Sequence, residues 1–138
     1  MTDYDPVTDG IKVKMVGATG SVKTHIVHDS GATQPIATFA AGTIIEDMVI
    51  VITEAFNGTA TIDIGDAGDA DGLMPNAGIT KTLAAVSGED ESVRGAYLYS
   101  AHKRVKYYAA GTVVNAALGS LGSTTAGEAD VIILYRAP

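Results

Sequence analysis

The sequence predicts an all-β fold, an antiparallel sandwich or barrel, from two observations. Sixteen glycines and four prolines, with many Thr and Ser, interrupt the apolar runs. The interruptions come about every 8 to 12 residues, which is typical of short strands joined by turns. Helical spacing of apolar residues is scarce, whereas several segments alternate apolar and polar side chains as a half-buried strand does. The 138 residues suit one domain with one core.

The first third of the chain contains two candidate strands. Residues 11–15 alternate apolar side chains with two lysines, which predicts a strand with one wet face. Residues 22–28 form a second, less regular strand. We expect a loop at residues 31–35, where Gly and Pro occur close together.

The strongest strand signal lies in residues 44–52. Beyond Asp47 this run is apolar and β-branched on both faces, which predicts a central strand. Asn57 and Gly58 follow, a pair that favours the type I′ turn of a β-hairpin, and residues 61–64 then alternate again. We therefore expect residues 44–52 and 61–64 to form a hairpin.

The rest of the chain holds further candidate strands of unequal strength. Residues 79–86 and 93–99 are weak candidates, whereas residues 129–135 contain a long apolar run that predicts a second central strand. Residues 104–108 and 112–118 are the remaining candidates. Residues 39–45 resemble residues 108–114, which indicates either a repeated turn into a strand or two related halves of a double Greek key.

Composition and charge limit the possible partners. The net charge of −7 disfavours nucleic acid as the main partner, because phosphate binding needs clustered Lys and Arg. There is no cysteine, the first residues carry acids where a secretory signal carries bases, and no stretch approaches the length of a membrane span. We expect a soluble protein made in the cytoplasm, with no membrane partner. Its core should be aliphatic, since only 6% of residues are aromatic.

Four aspartates within nine positions could suggest a metal site, so their register matters. If Gly72 takes the glycine position of an EF-hand loop, Ala67 falls on the first ligand position and Gly78 on the last, and the EF-hand interpretation fails. A looser calcium site and a plain acidic turn built from Asp63, Asp66, Asp69 and Asp71 both stay open. His25 and His28 lie three apart, which suits metal ligands on a helix and not on a strand. We predict no metal and no cofactor.

No pattern of catalytic residues is visible. The chain lacks a cysteine nucleophile, a Gly-x-Ser-x-Gly elbow and a phosphate-binding Gly-Lys-Ser/Thr loop. Two carboxylates can meet in any fold, but the few aromatics disfavour a sugar-hydrolysing cleft. We predict that the chain is not an enzyme.

Two segments are candidates for protein contact. One is basic and rich in tyrosine, and its candidates are Arg94, Lys103, Arg104 and Lys106. Such a patch can dock on an acidic neighbour or simply protect a strand edge from pairing. The other is an extended N-terminal arm, residues 1–10, ahead of a domain at residues 11–138. Its contact candidates are Tyr4, Pro6 and Val7.

The segments at residues 41–47, 53–58, 62–66 and 69–73, together with the closing run at residues 126–135, resemble small virion proteins of tailed bacteriophages. The resemblance implies a jelly-roll-like β-sandwich and a role as a capsid decoration or cement protein, commonly a homotrimer bound to the major capsid protein on the surface of the virion. A tail-fibre or head-fibre domain that binds a host receptor or carbohydrate is the alternative. The resemblance supplies no catalytic residues.

Overall fold

The computed structural model describes residues 19–76, 79, 84–87, 95–98 and 105–138. Within these ranges the chain forms eight β-strands and a 3₁₀ helix at Leu121–Ser123. The strands are β1 (Thr19–Val27), β2 (Thr33–Phe39), β3 (Ile44–Glu54), β4 (Thr61–Gly65), β5 (Ala84–Ser87), β6 (Lys106–Tyr107), β7 (Thr112–Gly119) and β8 (Glu128–Arg136). No helix in the described ranges has the length and apolar character needed to cross a membrane.

The strands form two antiparallel sheets, so the predicted β-sandwich is confirmed. The larger sheet has the order β1-β8-β3-β5, with β6 also paired to β3, and the smaller has the order β2-β7-β4. The orders β1-β8-β3-β6 and β2-β7-β4 are those of two interleaved Greek keys, as in a jelly roll. β5 departs from that scheme because it pairs with β3 and not with β4.

Both predicted central strands are central. β8 lies between β1 and β3, so that Ile132 has Lys23 on one side and Val49 on the other. β3 pairs with β8 along one edge and with β5 and β6 along the other. A strand flanked on both sides and covered by a second sheet needs apolar residues, which is why these two runs are the most apolar in the chain.

The core between the sheets is mainly aliphatic, as composition predicts. Nine of the 22 buried apolar residues in the described part of the chain are isoleucines. The predicted core contained no aromatic side chains, whereas Phe39, Phe56 and Tyr108 are also buried in it. A low aromatic content therefore does not exclude aromatic side chains from the core.

The predicted hairpin between β3 and β4 is wrong. β4 belongs to the other sheet and pairs with β7, joining Ile62 to Leu118. Both edges of β3 are already taken, so β4 has no edge of β3 to pair with. Gly58 does have a positive φ of 70°, but Asn57 holds a loop by accepting the backbone N–H groups of Thr125 and Ala126 at 2.8 and 3.2 Å.

The loop predicted at residues 31–35 is also partly wrong, because β2 begins at Thr33. Pro35 lies inside this strand. A proline lacks the N–H that a ladder needs, but β2 is at the edge of its sheet and its register shifts between Pro35 and Ala37. The edge position makes the proline acceptable.

Other strand predictions have mixed outcomes. Residues 22–28, 112–118 and 129–135 are confirmed as β1, β7 and β8, and residues 104–108 are confirmed in part as β6. In the weak range 79–86, β5 begins only at Ala84, and Ala96 to Leu98 form a turn where residues 93–99 were predicted as a strand. The strand predicted at residues 11–15, and the arm at residues 1–10, lie outside the described residues.

The two similar segments meet at one corner of the sandwich. Residues 39–45 lead from β2 to β3, and residues 108–114 lead from β6 into β7, so they cross between the sheets in opposite directions. The Gly42 N–H donates to the Tyr108 carbonyl at 2.7 Å, and the Tyr108 N–H donates to the Thr43 carbonyl at 2.9 Å. Each crossing thus supports the other.

Candidate functional site

Of the seven predicted contact residues, only Lys106 lies within the described part of the chain. Tyr4, Pro6, Val7, Arg94, Lys103 and Arg104 lie outside it. Lys106 is on β6, where it pairs with Ile45 at one end of the larger sheet. The site described below is built around this residue.

Lys106 is held against two tyrosine rings. Its Nζ lies 4.1 Å from the centre of the Tyr97 ring and 5.2 Å from that of Tyr108. The two rings meet edge to face, with centroids 6.5 Å apart and an angle of 88° between their planes. A cation within about 6 Å of an aromatic face is attracted by the ring quadrupole, so the two rings hold the lysine in position.

Behind the tyrosines lies the buried carboxylate of Asp66. The Tyr97 hydroxyl donates to Asp66 Oδ1 at 2.8 Å and the Tyr108 hydroxyl donates to Oδ2 at 2.7 Å. The backbone N–H groups of Gly68 and Asp69 donate to Oδ1 at 2.8 and 3.0 Å. Four donors therefore surround one carboxylate, which is the arrangement that makes a buried charge tolerable.

The pKa values in this cluster follow from that geometry. Burial works to raise the pKa of Asp66, but the hydrogen bonds from Tyr108, Tyr97 and the two backbone amides outweigh it, and the net pKa is lowered. Burial, then the bond to Asp66, raises the pKa of Tyr97 to about 12. The same causes raise the pKa of Tyr108. The acid is thus ionised and both phenols are neutral at ordinary pH.

A glycine allows Tyr97 to pack against the loop that carries Asp66. A Cβ on Gly72 would lie 2.5 Å from the Tyr97 ring. The Tyr97 N–H donates to the Gly72 carbonyl at 2.8 Å, which fixes the ring over the loop. Gly72 is therefore required by the packing of Tyr97 against this loop.

The acidic loop acts as a structural turn. Asp66 accepts two backbone amides of its own loop, and Asp63 Oδ1 accepts the Asn76 N–H at 2.7 Å. Side-chain-to-backbone bonds of this kind are what Asp supplies in turns. Among the residues that the structure describes, no three His, Asp or Glu side chains are placed to hold a metal ion.

The outward side of β6 is apolar and exposed. Tyr107 is 58% exposed and Val105 is 41% exposed, while Tyr108 is buried. A shallow concavity of about 430 Å³ is lined by both tyrosines and, in part, by Asp66, Lys106 and Thr112. Exposed tyrosines are enriched in the surfaces through which proteins contact one another.

The histidines lie away from this site. His25 on β1 bridges two carboxylates of β8, with Nδ1 2.8 Å from Asp130 Oδ1 and Nε2 2.8 Å from Glu128 Oε1. The hydrogen bond with Asp130, then the one with Glu128, raises the pKa of His25. His28 lies beyond the strand, where its Nδ1 is 3.3 Å from the Gly127 carbonyl oxygen.

Comparison with known proteins finds likeness in structure only. No protein-family model and no curated protein matches the sequence. A chain from the capsid asymmetric unit of cyanophage Pam1 matches with a TM-score of 0.58 and 14% identity, covering 100% of both chains. A chain from the acidic stable capsid structure of Helicobacter pylori bacteriophage KHP30 matches with a TM-score of 0.54 and 14% identity, covering 89% of this chain and 91% of that one.

The chain shares the fold of chains from two phage capsids. The match to the first covers the whole length of both chains, in agreement with the resemblance to bacteriophage virion proteins. At 14% identity the likeness is one of backbone architecture, so no residue role is transferred from either relative.

Sequence reasoning identified Lys106 and the acidic loop but missed what connects them. In the sequence, Tyr97 comes 31 positions after Asp66, and Tyr108 comes 42 positions after it. A lysine next to two tyrosines at residues 106–108 was the available signal, but nothing local shows that a distant aspartate would anchor the rings. Tyr107 was missed because alternation alone does not say which face of β6 is wet.

Proposed function

We propose that this chain is a structural component of a bacteriophage capsid, and that it acts as a decoration, or cement, protein on the outside of the shell. The observation that carries the proposal is the full-length likeness to a chain of the Pam1 capsid asymmetric unit. A chain with that fold, and without a catalytic arrangement among its described residues, is best suited to binding other proteins.

The partner in this proposal is the major capsid protein, and the location is the capsid surface of the virion. Lys106 and Tyr107 offer a contact surface made of a cation and an aromatic ring. Elsewhere on this chain, the net charge of −7 suits contact with basic loops of a coat protein. As in many virion proteins of this kind, a homotrimer on the virion is the proposed oligomeric form. The N-terminal arm, with Tyr4, Pro6 and Val7, would add contact to a neighbouring subunit.

The proposed mechanism is mass action. A protein that binds the assembled shell and not its separate subunits stabilises the shell by RT ln(1 + [L]/Kd) for each site. Many sites of modest affinity therefore add up to substantial resistance against internal pressure. This role needs no chemistry, in agreement with the prediction that the chain is not an enzyme.

The test is to locate the chain on purified particles of the phage that encodes it. Immunogold labelling with antibodies against this chain should decorate the shell, and added purified protein should co-sediment with shells that lack it. Label confined to the tail, or absent from the particle, contradicts the proposal.

A fibre domain that binds a host receptor or carbohydrate is the second candidate, and exposed Tyr107 is the observation that favours it, because sugars stack on exposed aromatics. A glycan array separates the two functions. Reproducible micromolar binding of a sugar, lost in the variant Tyr107→Ala, would support the fibre function over the cement function.

A further inference from the structure

The outer edge of β1 is the edge that does not pair with β8. Within the described residues β1 pairs with β8 alone. Just past its end, the His28 N–H points to β8 and donates to the Gly127 carbonyl at 3.0 Å. The Val27 N–H points the other way and donates to Gln34 Oε1 at 3.1 Å, while the Val27 carbonyl accepts from Gln34 Nε2 at 2.7 Å.

These two residues set the direction of every peptide group in β1. Along a strand the backbone groups of successive residues point to opposite edges. Even-numbered residues therefore bond to β8, and odd-numbered residues face outward. The outward set before Val27 is Thr19, Ser21, Lys23 and His25. The Gln34 side chain bonds the outward backbone groups of Val27 only, among the described residues. The backbone groups of the other four residues therefore form a row of donors and acceptors with which another strand can pair.

An apolar groove opens beside this edge, between the two sheets. It has a volume of about 300 Å³, and its lining includes Val22, Ala37, Phe39, Tyr135 and Pro138. Val22 is an inward-facing residue of β1 and is only partly buried. A strand added to the outer edge would place its own inward side chains over this groove.

The chain itself carries a segment that fits. Residues 11–16 are separated from β1 by two residues, Gly17 and Ala18. Residues 11–15 alternate apolar side chains with lysines, and Val16 follows them. A two-residue hairpin loop with glycine in its first position takes the type II′ turn. We propose that residues 11–16 form an additional strand on the outer edge of β1, joined to it by a Gly17-Ala18 turn. The proposal is independent of the function proposed above.

Two separate requirements agree on this register. A two-residue turn makes its flanking residues, Val16 and Thr19, a hydrogen-bonded pair, and Thr19 is among the residues whose backbone faces outward. The same turn places Val13 opposite Val22, and opposite residues share a face of the sheet. A shift by one residue would break the first match and would put lysines over the apolar groove.

The side chains then find suitable neighbours. Met15 would lie opposite Gly20, whose missing side chain leaves room that the Tyr135 ring fills, with Tyr135 Cζ 2.8 Å from the position of a Cβ. Sulfur beside an aromatic ring is a favourable contact. Lys14 would lie on the wet face opposite Ser21. Lys12 would lie opposite Lys23, a pairing of like charges that is unfavourable by itself and that is offset by Asp130, whose Oδ2 is 3.8 Å from Lys23 Nζ.

Disulfide trapping tests the register, and the absence of cysteine from the sequence makes it clean. Val13 and Val22 would form a non-hydrogen-bonded pair, with Cα atoms about 4.5 Å apart, which is within reach of a disulfide. The double variant Val13→Cys with Val22→Cys should therefore oxidise within one chain. The matched control, Lys14→Cys with Val22→Cys, points its two thiols to opposite faces and should oxidise at least tenfold more slowly.

Mass spectrometry under non-reducing conditions reads the result. Equal rates for the two double variants, or no disulfide in the first, contradict the proposal. A disulfide between two chains also contradicts it, because the edge would then be occupied by the segment of a second copy.

Amide hydrogen exchange on the unsubstituted chain gives an independent reading. If the added strand is present, the amides of Ser21 and Lys23 exchange as slowly as those of Val22 and Thr24, to within about tenfold. Val27, which is bonded to Gln34 in either case, is the internal reference. Alternation along β1, with the odd-numbered amides exchanging much faster, would overturn the proposal.

Discussion

Asp66 is the residue on which the candidate site depends. Its carboxylate accepts four hydrogen bonds, two from tyrosine hydroxyls and two from backbone amides, and it has little contact with solvent. Through the two rings it also fixes Lys106, which itself makes no bond to the aspartate in the described structure. A charge at the surface is thus positioned by an acid beneath it.

Replacing this acid should loosen the whole cluster. In Asp66→Asn one carboxylate oxygen becomes an NH₂ group, which cannot accept a hydrogen bond from the tyrosine or backbone donors around it. At least one buried donor then loses its partner, so we expect the free energy of unfolding to fall by about 1 to 3 kcal/mol. Urea unfolding of the variant and of the wild type measures it. Tyr97→Phe, which removes a single donor, is the control and should cost less.

The effect of Asp66 should depend on pH in one direction. Its pKa is lowered in the folded state, so its contribution is complete above the unfolded value of about 3.8 and is lost as the pH falls through the folded pKa. The difference between wild type and Asp66→Asn should therefore be constant near neutrality and shrink in strong acid. A difference that grows on acidification contradicts this explanation.

His25 should give the opposite dependence. Its bonds to Asp130 and Glu128 raise its pKa, so its contribution is full below the unfolded value of 6.5 and is lost as the pH rises through the folded pKa. Lys23 lies on the same face, with its Nζ 3.8 Å from Asp130 Oδ2. We expect His25→Gln to lower the melting temperature more at pH 5.5 than at pH 8.5. Equal losses at the two values would show that the bridge is not titrating.

At the level of single residues, the sequence allowed only part of the site to be predicted. Lys106 was identifiable because it belongs to a basic and aromatic run, and Asp66 because it belongs to an acidic loop. That the two belong to one cluster depends on the turn at Ala96 to Leu98, which brings Tyr97 over Gly72. Such long-range contacts leave no periodic trace in a single sequence.

At the level of elements, strand interiors were easier to predict than strand partners. β3 and β8 were visible as long apolar runs because both edges of each strand are paired and one face of each is buried in the core. The partner of β4 was mispredicted because Asn57-Gly58 is a turn signal that carries no information about which sheet comes next. β2 was missed at its start because Pro35 is acceptable only at an edge, which is a property of the assembled sheet.

The loop between the 3₁₀ helix and β8 offers a test of local packing. Gly127 has a φ of +146°, and a Cβ there would lie 2.2 Å from the buried ring of Phe56. Gly127→Ala should therefore cost about 1 to 3 kcal/mol of stability through overpacking. Gly122, where a Cβ would meet nothing within 4 Å, provides the matched control, Gly122→Ala. Similar chemical denaturation midpoints for both variants would contradict the packing argument.

At the level of the whole molecule, the exposed face of β6 is where binding should be sensitive. Tyr107 is 58% exposed, so Tyr107→Ala should leave the melting temperature nearly unchanged. If this face contacts the shell, loss of the aromatic should weaken binding about tenfold or more, or about 1.4 kcal/mol. Co-sedimentation of each variant with shells measures it. Val113→Ala, exposed on the other sheet, is the control, and equal affinities for all three proteins would exclude Tyr107 from the contact.

The position of β8 has a consequence for how the protein is made. This strand is the last of the eight in sequence order, yet it stands between β1 and β3 in the larger sheet. During synthesis β1 and β3 are therefore made before β8. Until β8 pairs with them, the edges that it will cover are exposed to other chains. Pairing of such distant segments is slow, in the range of milliseconds to seconds, so the nascent chain is most vulnerable to aggregation just before β8 emerges.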